Sequence, residues 1–277
     1  MRHSVFLTIV LVLATIAAAQ DWEGDLLGAE AKGELHGTLG VSWDSEFVWR
    51  GFKIFGSTSA THIVGDVNLW ETGFGLSAAG HYANGGGWVD EARWDYTAYY
   101  QNGVFAGKPY ATNFRVGYVY YDHPNTISEW SDLQEVHAVL SWPNLLPIRG
   151  LCPTYVAAKV WPGTGGSRLD DSADGWFHIF MLDYGFTVQG VLPDIPEHLI
   201  RLHGELVYNG GVDPIGPGIE EQFSHAVFGV ATDVKFWDTL TLTPAVYYQI
   251  AMERGLEERN GDSSDELWAS VGLTHSF

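Results

Sequence analysis

Cysteine is nearly absent: Cys152 stands alone. A single thiol forms no internal disulfide and supplies no cysteine-based metal site, so stability has to come from a sheet ladder or a packed core. Basic residues are scarce too, 14 Lys and Arg against 34 Asp and Glu, for a net charge of −20. Nucleic acid needs a surplus of cations at its phosphates and is excluded as a partner. Beyond the first twenty residues no apolar run is long enough to cross a bilayer as a helix. Any membrane insertion therefore has to be as a closed barrel.

What the chain does have in quantity is tryptophan (12), tyrosine (13) and glycine (33). Amphipathic rings in such number are expected where side chains mark a membrane–water boundary. The opening MRHSVFLTIVLVLATIAAAQ carries a short basic start, an apolar stretch and Ala17-Ala18-Ala19. It reads as a secretory signal peptide over residues 1–19, shorter than a spanning helix. Residues 20–277 show no linker or repeat that would divide them and read as one domain.

The segment GELHGTLGVSWDSEFVWR alternates. Leu35, Leu39, Val41, Trp43, Phe47 and Trp49 share one parity, and Glu34, His36, Ser42, Asp44, Glu46 and Arg50 share the other. Strand side chains alternate between faces, so a strand over 34–50 has one greasy and one charged face. It is about three times the ordinary strand length, which suits a strand that is apolar toward lipid and polar toward a lumen. Eleven further segments are candidates for the same role: 60–70, 73–82, 91–101, 112–121, 133–142, 153–161, 176–188, 199–209, 223–234, 240–251 and 266–277, with alternation clear in 112–121 and 199–209 and poor in 153–161 and 176–188. The pattern predicts an all-β fold, an antiparallel transmembrane β-barrel of about 12 strands.

With the N-terminus periplasmic, the outer links are 51–59, 83–90, 122–132, 162–175, 210–222 and 252–265, with a summed charge of −11. The inner links 71–72, 102–111, 143–152, 189–198 and 235–239 sum to −1. Trp70, Trp142 and Trp237 fall near inner strand ends, and Trp49, Trp161 and Trp176 near outer ends, a spacing that predicts two aromatic girdles. Acidic DDSAD and NGDSSDE lack the spacing of a calcium loop, so solvated loop charge accounts for them. The chain closes on LWASVGLTHSF, an alternating strand ending in Phe277. That ending looks like the C-terminal signal of bacterial outer-membrane proteins, which implies the barrel assembly machinery as a partner.

SEFVWRGFKIFGSTSATHIVGDVNLW resembles the first hairpin of the TorF-type porin family, also called Gcw_chp, of bacterial outer-membrane β-barrels. The match lies on Phe47, Trp49, Arg50, Gly51 and 57–59, then on Gly65, Asp66 and Asn68, and GFGLSAAGHYANG resembles the family's third strand. The specific part covers about residues 40–85. Where the family has a Pro-Ala step into its second strand, this chain reads STSATH. The resemblance implies an architecture more than a chemistry, since the family carries no established substrate.

Parity places Asp44, Glu46, Arg50, His62, Asp66, Arg93, Arg115, Arg201 and Glu205 on the lumen face as pore-lining candidates. Arg50 is expected to meet Asp44, Glu46, His62 or Asp66 there, either as a solute filter or as a strut. His36, His62, His81, His137 and His203 and Ser42, Ser77 and Ser141 also occupy polar positions. None belongs to a G-x-S-x-G, HExxH or HxxEH motif, so no catalytic residue, metal site or cofactor is expected. The expected role is an outer-membrane porin, a passive and mildly cation-selective channel set among outer-membrane lipid and lipopolysaccharide. The alternative is a non-conducting barrel for adhesion or envelope structure with a filled interior. A soluble carbohydrate-binding sandwich would leave the long first strand unexplained.

Overall fold

The computed structural model describes residues 35–85, 92–164, 172–192, 195–214, 219–256 and 265–277. Residues 1–34, which include the expected signal peptide, residues 193–194 and parts of four longer links lie outside them. The elements in chain order are β1 (His36–Asp44), β2 (Val48–Trp49), β3 (Phe52–Lys53), β4 (Ala60–Asn68), β5 (Phe74–Ala83), β6 (Ala92–Val104), β7 (Thr112–Asp122), α1 (Ser128–Ser131), β8 (Leu133–Ser141), β9 (Leu151–Pro162), β10 (Gly175–Leu192), β11 (Ile195–Gly210), β12 (Glu221–Trp237), β13 (Leu240–Ala251) and β14 (Glu266–Ser276).

Twelve of these strands close into one antiparallel barrel in the order β1-β14-β13-β12-β11-β10-β9-β8-β7-β6-β5-β4, and β2 and β3 form a separate hairpin. Closure runs from Thr38↔Ser276 to Asp44↔Ser270. It is extended by Gly37 and Phe277, whose backbones exchange hydrogen bonds at 2.9 and 3.0 Å. A closed ladder leaves no sheet edge, which is the condition for strands to cross lipid. Both described chain ends lie at the inner end of the barrel.

The alternation is realised as two surfaces. Leu39, Val41, Trp43, Ile63, Leu76, Val116, Tyr118, Leu202, Phe228, Val230, Val246 and Leu273 all stand exposed on the outside. Ser42, Asp44, Arg115, His203, Glu205 and Asn209, their partners in parity, are buried inside. An apolar belt on nearly all the wall strands is far larger than a water-soluble monomer carries and marks the lipid-facing surface. Trp70 and Trp237 stand exposed at the inner end and Trp176 at the outer end.

Two expectations are corrected. The link at 189–198 is mostly strand, because β10 and β11 continue pairing to Leu192↔Ile195. The first strand stops at Asp44 and does not run to residue 50. Ser45 still bonds to the backbone of Ala269, and the chain then leaves the wall for the interior. Trp49 is accordingly no girdle residue: it is fully buried inside the barrel.

Candidate functional site

The interior is occupied by residues 46–56. Arg50 (φ 50°) and Gly51 (φ 92°) form a two-residue turn with both central residues at positive φ, the requirement of a type I′ hairpin. Trp49↔Phe52 and Val48↔Lys53 pair on either side of it. A side chain on residue 51 would also strike His225 and Leu256, so glycine is needed there for space as well as for torsion. Phe47, Trp49, Phe52 and Phe55 are entirely buried. Wall side chains fill an eight-stranded barrel, but twelve strands leave a space they do not reach across. These aromatics fill it.

The hairpin is bolted to the wall by charge. Arg50 Nη2 lies 2.5 Å from Glu135 Oε2 on β8, with the two side chains 3% and 2% exposed. Around the barrel β8 is five strands from β1 in one direction and seven in the other, so the hairpin spans nearly the full lumen. Glu135 also accepts from Tyr121 Oη at 2.8 Å and lies 2.9 Å from His137 Nδ1. At the hairpin's root Lys53 Nζ lies 2.6 Å from Glu266 and 3.8 Å from Glu46. Gln249 Nε2 donates to the Gly51 carbonyl at 3.1 Å. Trp49 meets Tyr121 edge-on at 5.3 Å. The guanidinium carbons of Arg93 and Arg50 lie 4.9 and 5.2 Å from its ring centre. A desolvated cation over an indole is worth up to about 2 kcal/mol.

Below and beside the hairpin the wall carries polar networks. Arg93 donates to both oxygens of Asp95 at 2.6 and 2.7 Å. Asp95 also lies 3.3 Å from His81 Nε2, and His81 Nδ1 shares a 3.0 Å hydrogen bond with His62 Nδ1. His203 bonds Asp183 at 2.7 Å. Glu205 lies 3.7 Å from His203 Nε2 and 3.9 Å from His225 Nε2. Nearer the inner end Arg201 pairs with Asp233 at 2.7 Å, and Tyr99 Oη donates to Asp66 at 2.8 Å. Among the described residues no three His, Cys, Asp or Glu side chains are arranged to hold a metal ion.

No protein-family model matches the sequence, and a search of curated proteins finds no match. Solved structures do match in fold. The KdgM porin is 11% identical over 87% of this chain and 99% of its own, with a TM-score of 0.50. The NanC porin is 11% identical over 88% and 100%, at 0.48. LpxR from Salmonella typhimurium is 8% identical over 87% and 100%, at 0.48. The fold is that of a porin-like outer-membrane barrel. At these identities the likeness extends to the fold alone.

Asp44, Arg50, His62, Arg93, Arg115 and Glu205 are buried in the interior, and Glu46, Asp66 and Arg201 are half-buried there. They do not form one ring. Arg50, which the alternation placed on the first strand, sits at the hairpin tip, and its partner is Glu135 rather than Asp44, Glu46, His62 or Asp66. Glu135, Asp95, Tyr121 and Lys53 were not among the candidates, and His81 was placed on the polar face but not in the pore-lining set. Parity within 133–142 puts Glu135 inside, and parity within 91–101 does the same for Asp95. What no sequence pattern supplied was the inward fold that makes Glu135 the receiving group.

Proposed function

We propose that the chain is an outer-membrane porin for small solutes, with passive passage set by the inward hairpin at 46–56 and a mild preference for cations. The observation that carries this reading is a closed twelve-stranded barrel, apolar outside, whose interior holds many ionisable groups. A barrel built only for anchorage has no need of so many costly buried charges. The likeness to a protein described as the KdgM porin supports the reading. On this reading the chain sits in the outer membrane, is exported by residues 1–19, is assembled through the Phe277 strand and is bordered outside by lipopolysaccharide. Asp44, Glu46, Arg50, His62, Asp66, Arg93, Arg115, Arg201 and Glu205 are its pore-lining set, with Glu135 added.

One observation favours a second reading, the non-conducting barrel. Phe47, Trp49, Phe52 and Phe55, set across the lumen, expose no surface of their own. Planar-bilayer conductance separates the two. The wild type is expected to show a small conductance, and a variant with 46–55 replaced by a short Gly-Ser linker a much larger one. A silent wild type beside a conducting variant would establish a plugged structural barrel, and silence in both would end the porin reading.

A further inference from the structure

Three of the interior arginines in this barrel have a carboxylate within ion-pair distance: Arg50 has Glu135, Arg93 has Asp95 and the half-buried Arg201 has Asp233. Arg115 on β7, 8% exposed, has none among the described residues. It is nevertheless held firmly. Its Nε and Nη2 both donate to one acceptor, Gln101 Oε1, at 3.1 and 2.6 Å. Its guanidinium carbon stacks 4.0 Å above the ring of Tyr99. Tyr99 in turn lies flat across Gly75, where any Cβ would collide with the ring, and is pinned by its hydroxyl to Asp66 Oδ1 at 2.8 Å.

A guanidinium has five N–H donors in a fixed fork. Gln101 uses the edge formed by Nε and Nη2. The other edge, formed by Nη1 and Nη2, has no partner among the described residues and has the spacing of a carboxylate. A mostly buried cation with an open fork and no carboxylate at ion-pair distance gains from an anion that completes it. At the far end of the same tyrosine, Asp66 Oδ2 is buried and likewise has no hydrogen-bond partner. The two open positions are a fork for a carboxylate and an acceptor for a donor, about one phenol ring apart. They lie on the inner side of the hairpin, since Tyr121, which touches Trp49, is six residues further out along β7, roughly 20 Å.

We propose that Arg115 and Asp66, mounted on Tyr99, form a solute subsite for a small molecule that joins a carboxylate to a nearby hydrogen-bond donor, of the α-amino acid or α-hydroxy acid kind. The carboxylate takes the free edge of Arg115 and the ammonium or hydroxyl donates to Asp66. A zwitterion also suits the charge layout, because an acidic outer rim repels a bare anion but not a molecule of zero net charge.

The proposal rests on the porin reading for its biological sense, but its test does not. Calorimetric titration of the detergent-solubilised full chain uses glycine, glycolate, acetate and methylamine as probes, with heat-modifiable gel mobility confirming that each variant is folded. Glycine and glycolate are expected to bind, acetate more weakly and methylamine not at all. Arg115→Gln should weaken glycine by about tenfold or more. Arg115→Lys, which keeps the charge and loses the fork, should recover only part of that. Asp66→Asn should bring glycine down to the affinity of acetate and leave acetate unchanged. Equal glycine binding in wild type and Arg115→Gln, or no binding of any carboxylate, would overturn the subsite. A barrel that binds glycine but never conducts would end the channel reading and keep the site, and one that conducts without binding would do the reverse.

Discussion

At the scale of single residues, Arg50 and Glu135 decide most. Both are almost wholly removed from water, where an ion pair persists only with good geometry and further hydrogen bonds. Tyr121 and His137 supply those to the carboxylate. Arg50→Ala strips Glu135 of its counter-charge and removes the anchor of a turn that holds a non-glycine residue at positive φ, which itself costs about 1–2 kcal/mol. The expected loss of stability is about 3–5 kcal/mol, read from urea unfolding of the purified barrel. Arg50→Ala together with Glu135→Gln should lose less than Arg50→Ala alone, because the buried charge is gone. A single variant as stable as the wild type would show that the aromatics alone hold the hairpin. The alternation of residues 34–50 put Arg50 on the lumen face of a strand that in the structure ends at Asp44, and both parities of 47–50 lie inside the barrel. It could not show Glu135 as the partner, because 85 residues separate the two and only the closed barrel brings them together.

Among the elements, the wall strands were legible and the hairpin was not, for one physical reason. Period-two alternation reports a strand whose two faces meet different solvents, and eleven of the twelve wall strands fall close to the segments that show it. Residues 45–50 continue the alternation except at Ser45 and Val48, yet the surroundings change when the chain leaves the ladder at Ser45. Aromatics that would have faced lipid then face a lumen that needs filling. The trace of this in the sequence is Trp49-Arg50-Gly51-Phe52, a turn that permits positive φ set between two aromatics. The outer connection between β7 and β8 follows local rules as well. Asp132 accepts from the His123 backbone at 3.0 Å and from Tyr120 Oη at 2.7 Å. Burial opposes its ionisation, but the hydrogen bonds from His123 and Tyr120 hold its carboxyl below the usual carboxylate range. A carboxyl with a lowered folded value stabilises above its unfolded value of about 4 and loses that contribution as pH falls through the folded one. Hydrogen exchange at the His123 amide should therefore be slow above about pH 5, relative to the intrinsic rate, and lose protection below about pH 4, with the Asp132→Asn variant showing no such pH step. Constant protection across that range would assign the loop's order to α1 and its packing instead.

At the scale of the whole molecule, the question is which charges an ion in transit would feel. The net charge of −20 is unevenly placed, with −11 on the six outer links and −1 on the inner ones. The +1 of segment 51–59 belongs to Lys53, which is turned inward against Glu266 and Glu46, so the outer rim itself is more acidic than the summed links suggest. Inside, Arg50, Arg93 and Arg201 are each neutralised by a carboxylate at ion-pair distance. Asp44, Asp183 and Glu205 remain as buried lumen carboxylates beyond those pairs. Of the lumen arginines in the pore-lining set, Arg115 alone, among the described residues, has no carboxylate at ion-pair distance, the nearest counter-charge being Asp66 across the Tyr99 ring. A rim of one sign concentrates counter-ions over about a Debye length, ~8 Å at physiological salt. The barrel should therefore prefer potassium to chloride, modestly at low ionic strength and hardly at all near 1 M, where the Debye length falls to about 3 Å. Reversal potential across a KCl gradient measures this directly, in the wild type if it conducts and in the hairpin-replaced variant in either case. Arg115→Gln should raise the cation preference further, since it removes the opposing charge. Anion selectivity at low salt in both proteins would show that Arg115 governs the pathway, and that ions meet the lumen's inner half before they sense the rim.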